Sequence, residues 1–135
     1  MDVAVGDEIP AWVVAAVSVE KMKIFSALIR DPNPIHIDAA AVQRLGLGDR
    51  EINQGPISMG YLYNMLGDWL GGVHHVTRLS VRFGANVYAG DEVVATGTVT
   101  AVEDLGGRRV ATCDVRLEVV GGATAMTGSA VVTLP

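Results

Sequence analysis

The sequence predicts an α+β chain in which a curved antiparallel sheet wraps around one central helix. Three observations carry this. Apolar residues recur at helical spacing in the first half of the chain and alternate with polar ones from about residue 77 onward. One segment, residues 57–70, carries a continuous apolar stripe that only a large surface can bury. Glycine pairs at 106–107 and 121–122 punctuate the alternating runs as hairpin turns. With 135 residues, half of them apolar and 19% charged, the chain can bury one core, and residues 1–135 are expected to form one domain. A net charge of −5 gives no reason to expect nucleic acid or an anionic membrane as partner. The acidic start MDVAVGDEIP lacks the basic opening of a signal peptide, and Cys113, the only cysteine, excludes an internal disulfide and a thiolate metal cluster. A cytoplasmic location is expected.

The elements follow in order. Residues 9–17 (IPAWVVAAV) are β-branched and bounded by Pro10, as a first strand should be. Ser18 caps a helix running to about Arg30, with Glu20 in its first turn and Met22, Phe25, Leu28 and Ile29 at helical spacing. Pro32 pushes Asp31 out of the helical region and stops the helix. Asp38 caps a second helix, residues 39–45, which Gly46 ends. The third helix runs from about Ile57 to Leu70, with Pro56 at its start and Gly71–Gly72 beyond its end. Its stripe is Met59, Leu62, Leu66, Trp69 and Leu70, widened by Tyr63 and Met65. In TRLSVRFGANV, Leu79, Val81 and Phe83 alternate with Arg78, Ser80 and Arg82. In RRVATCDVRLEVVG, Ala111, Cys113, Val115, Leu117 and Val119 form the apolar face. Residues 91–103 and 123–134 complete a meander of consecutive strands.

Between the first two helices lies DPNPIHID, which places Asp31 five residues before His36. An extended link could hold the pair as much as roughly 17 Å apart, so a joint role demands a tight turn. Two prolines and Asn33 are suited to make one. A carboxylate and an imidazole of ordinary pKa about 6.5 can share proton transfer at neutral pH.

Together with the order of elements, Asp31, Asn33, Pro34, Ile35 and His36 resemble the signature of the MaoC-like dehydratases, the family of the (R)-specific enoyl-CoA hydratases. The resemblance extends from VGDEIP through VYAGDEV to AVVTLP. It implies the hot-dog fold, with catalytic Asp31 and His36 holding a water that adds across a trans-2-enoyl thioester to give an (R)-3-hydroxyacyl thioester. It also implies no cofactor beyond the CoA or acyl-carrier-protein thioester that is the substrate, and a homodimer or dimer of dimers. In the family a small pair, Ser/Thr-Gly, precedes the Asp, where this chain has Ile29–Arg30. A His-Gly-Met turn supplies a backbone N–H to the thioester carbonyl. Aligned on PISMGYL, that turn places Gly60 at the donor and Met59 at the His. Gly60 and Asn33 are thus the candidate oxyanion and substrate-binding residues, Asn33 foremost as the residue that fixes the turn.

Other residues carry blander readings. His74 and His75 sit at a helix-to-strand junction without partners at metal spacing, and Cys113 alternates with core residues. Arg78 and Arg82 share a strand face that either meets a CoA phosphate or faces water. Two other functions stand beside hydration. A hot-dog thioesterase would carry a carboxylate near the central helix, where this chain has Asn53 and Gln54. A catalytically idle acyl-thioester-binding subunit of a heteromeric dehydratase would have no need of the Asp31/His36 pair.

Overall fold

The alternating runs pair as their apolar faces require, but not in chain order. In the computed structural model, which describes residues 1–135, the strands are β1 (Glu8–Val14), β2 (Val76–Phe83), β3 (Val93–Leu105), β4 (Arg108–Val119) and β5 (Thr124–Thr133). They form one antiparallel sheet in the order β1-β3-β4-β5-β2. The helices are α1 (Val19–Ile29), α2 (Ala39–Arg44) and α3 (Gly55–Leu70).

The sheet encloses α3. Leu62, Met65, Leu66 and Leu70 are buried against Val93, Ala95 and Val99 of β3, Cys113 and Leu117 of β4, and Met126, Ala130 and Val132 of β5. Burial of each such side chain contributes on the order of 1.5–3 kcal/mol before entropy is counted. Met65 needs room to seat. A side chain at Gly97 of β3 would stand 2.8 Å from Ile9 Cδ1 and 3.2 Å from Met65 Cε. Glycine there lets helix and sheet approach.

The structure corrects the sequence-based expectations at four points. Only β3, β4 and β5 form a meander; β2 joins the far side of β5, so between β2 and β3 the chain crosses from that edge to the strand beside β1. The first strand stops at Val14, because its pairing with β3 ends at Val14–Val93 and Val17 bonds instead to Gly90 and Asp91. Helix α3 begins at Gly55, two residues before Ile57. Phe83, on the apolar side of the alternation, lies at the end of an edge strand and is 55% exposed. The remaining boundaries follow their punctuation. Ser18 Oγ accepts the Lys21 N–H, Asp38 caps α2, and Gly71 ends α3 at φ +77°.

Candidate active site

Local hydrogen bonds fold the 31–38 loop onto itself. Arg30 closes α1 in the left-handed region, at φ 53° and ψ 43°, and the Asp31 N–H reaches back to the Ser26 carbonyl. Asp31 Oδ1 accepts the Asn33 N–H at 3.0 Å, and Asn33 Oδ1 accepts the Ile35 N–H at 3.3 Å. Pro34–His36 then make one turn of 3₁₀ helix, and Asp38 Oδ1 accepts the Ala40 N–H at 2.9 Å. These successive turns are what short polar side chains do when prolines remove the helical alternative.

The result is the convergence that the spacing demanded. Asp31 Oδ2 lies 3.5 Å from His36 Nε2. His36 is buried, and its Nδ1 lies 2.6 Å from the Ile52 carbonyl oxygen. A carbonyl only accepts, so Nδ1 carries a hydrogen, and in the neutral imidazole Nε2 presents its lone pair toward Asp31. The same stretch is tied down once more by the Ile52 N–H, which donates to the Ile35 carbonyl at 2.9 Å. Two acceptors, Nε2 and Oδ2, therefore face one spot without a hydrogen between them. A water there can donate one hydrogen to each.

Three residues beyond Ile52, helix α3 begins. Gln54 is its N-cap residue and Gly55 its first helical residue, so the Gly55 N–H has no intrahelical acceptor, and it makes no other hydrogen bond. Gly60 is five residues further along, inside the helix, where its N–H belongs to the helical ladder. Gly60, the expected oxyanion donor, therefore lies within α3 rather than at its open N-terminus, where Gly55 stands. Gln54, Gly55 and Pro56 form the turn that opens α3.

Gln54 and Asn53, which the sequence offered only as the occupants of a thioesterase's carboxylate position, fasten the start of α3. Both are buried amides. Gln54 Nε2 donates to the Met22 carbonyl at 2.8 Å and to Ser26 Oγ at 2.9 Å, fastening the start of α3 to α1. Asn53 Nδ2 donates to Ser58 Oγ at 2.9 Å and Tyr61 Oη at 3.4 Å. The remaining oxygen of each carboxamide has no partner. A polar pair just before a Gly-Pro helix start was the available signal.

Of the other candidates, Asn33 is exposed and its side-chain oxygen is spent within the turn. His74 and His75 pack against each other with ring centroids 4.2 Å apart, at the opposite end of α3 from Gly55. Arg78 and Arg82 are exposed on the edge strand β2. No group of three or more His, Cys, Asp or Glu side chains is placed to hold a metal ion. No helix is long and apolar enough to cross a membrane.

Comparison of the sequence and fold with known proteins points to one family. The MaoC-like domain model matches residues 3–121. The (R)-specific enoyl-CoA hydratase of Aeromonas caviae is 37% identical over 112 residues, covering 82% of this chain and 81% of the hydratase. The solved (R)-hydratase from A. caviae involved in PHA biosynthesis superposes with a TM-score of 0.85 at 32% identity over 98% of each chain. The ChsH1–ChsH2 complex from Mycobacterium tuberculosis shares the fold, with a TM-score of 0.82 at 21% identity over 98% of each chain.

Proposed function

The chain belongs to the MaoC-like domain family, and from that premise we propose that Asp31, His36 and Gly55 form the active site of an (R)-specific enoyl-thioester hydratase. The enzyme is a hydro-lyase that hydrates trans-2-enoyl thioesters or, in reverse, dehydrates (R)-3-hydroxyacyl thioesters. The observation that carries the site is the pair of hydrogen-bond acceptors, Asp31 Oδ2 and His36 Nε2, 3.5 Å apart.

Water donates its hydrogens to both groups and presents a lone pair to the β-carbon of the enoyl thioester. As the new C–O bond forms, one proton leaves the water for the pair and negative charge moves to the thioester oxygen. The Gly55 N–H, at the positive end of α3, stabilises that oxygen without titrating. A proton returned by the pair to the α-carbon completes the addition, so the site ends as it began. Asp31 and His36 share a single exchanged proton and act as a unit.

The thioester supplies its own activation, and the three groups accomplish addition without a further cofactor. The acyl group is carried by CoA or an acyl carrier protein, and the protein assembles as a homodimer or dimer of dimers. The eight-residue edge of β2, paired only with β5, supports the assembly.

The test is loss of the enone absorbance of crotonyl-CoA on addition of purified protein, with the product resolved by chirality. Asp31→Asn and His36→Ala are each expected to lower kcat by about 10²- to 10⁴-fold, with circular dichroism unchanged. Full activity in both variants would place the chemistry elsewhere. Release of free thiol instead of loss of the enone would mark a thioesterase.

A further inference from the structure

A cavity of about 380 Å³ opens beside the first residue of α3, lined by Asn53, Gly55, Ser58, Phe83, Asn86 and Met126 among others. Neither Asp31 nor His36 lines it. With the thioester oxygen on the Gly55 N–H and the reacting carbons over Asp31 and His36, the cavity takes the other side of the thioester, the sulfur and the arm attached to it. Phe83 walls it closely: a side chain at Gly55 would stand 3.1 Å from the Phe83 ring.

The wall is polar where an acyl chain would want none. Asn53 and Ser58 are each 5% exposed and hydrogen-bonded to one another, while Asn53 Oδ1 has no partner. Asn53 Oδ1 is closed off from solvent. A buried carboxamide oxygen left unpaired costs about 1–3 kcal/mol, a cost that a hydrogen-bond donor in the bound substrate removes once the side chain turns that oxygen to the cavity. In a pantetheine thioester such a donor recurs at a fixed place. The nitrogen of the cysteamine amide lies three bonds beyond the sulfur, and it is the same whether CoA or a carrier protein bears the arm.

Resting on the hydratase reading above, we propose that Asn53, supported by Ser58, recognises the first amide of the substrate's pantetheine arm in this cavity. The arm has a way out. A second cavity, of about 480 Å³, shares Ala85 and Asn86 with the first and leads to Arg50.

The test compares three crotonyl thioesters on the intact protein: those of N-acetylcysteamine, N-acetyl-N-methylcysteamine and n-pentanethiol. The second replaces only the amide hydrogen, with a methyl group, and the third replaces the amide with methylenes at equal length. Wild-type protein is expected to prefer the N–H thioester about tenfold in kcat/KM over either analogue, the worth of one buried hydrogen bond. In Asn53→Leu that preference is expected to fall to near one. A wild-type preference near one overturns the proposal whether or not the variant folds. A preference that survives in Asn53→Leu overturns the assignment to Asn53. If wild-type protein hydrates none of the three thioesters nor crotonyl-CoA, the hydratase reading fails instead.

Discussion

At the scale of single residues, the geometry of the candidate site was legible wherever chemistry and local turn rules coincide. Asp31 and His36 announce themselves through the prolines around them, and each short polar residue of the loop caps the backbone as its type dictates. Asn53 and Gln54 did not, because an amide in a loop sequence looks the same whether it faces water or supports a helix start. Cys113 read correctly as core, and its burial has a consequence. Desolvation, helped by the Asp114 carboxylate, pushes its thiol from an ordinary 9.0 up to about 11. The folded chain therefore keeps the proton that the unfolded chain loses near pH 9. This contribution to stability is complete below pH 9 and is lost as the pH rises toward 11. The urea midpoint is expected to fall across that window by less in Cys113→Ala than in the native chain. At pH 8, Cys113 is expected to resist iodoacetamide until urea unfolds the protein, as mass spectrometry would show.

At the scale of elements, the helix ends were legible nearly to the residue because they carry capping chemistry. Ser18, Asp38 and Gly71 each do what their types predict. The start of α3 was not, because Gly55-Pro56 looks like punctuation before a helix. In the structure both residues are inside it, Pro56 giving up an N–H that the first turn leaves unpaired anyway. With the start expected at Ile57, Gly60 fell in the first turn; with the start at Gly55, it lies inside the helix. Arg30 departs from the local rules in the other direction. It holds φ 53° at the close of α1, where glycine is the usual occupant and where the resembling family has one. A left-handed non-glycine residue costs about 1–2 kcal/mol. Arg30→Gly is therefore expected to raise stability by about 1 kcal/mol, seen as a higher urea midpoint. Activity measured alongside would report whether the guanidinium next to Asp31 serves the substrate.

At the scale of the whole molecule, alternation identified which residues face α3 but was silent on which strands are neighbours. Each strand of an antiparallel sheet satisfies the same period, so the passage from β2 to β3 across the sheet left no mark in the pattern. The exposure of Phe83 belongs to the same blindness, since an edge strand alternates like a central one. What did leave a mark is the absence of a side chain at Gly97. The space it vacates is filled by Ile9 Cδ1 from the neighbouring strand and Met65 from the helix beneath. Positions 9 and 97 thus draw on a common volume, and neither can change size alone. Gly97→Ala is expected to cost about 1–3 kcal/mol by overpacking, and Ile9→Val, which deletes the intruding methyl, about 1 kcal/mol. Made together they should cost less than their sum by about 0.5 kcal/mol or more, the coupling usual for residues in contact, as urea titration of the four proteins would measure. A lineage that gains a methyl at 97 is therefore expected to shed one at 9, so that the two sites are inherited as a single compensating locus.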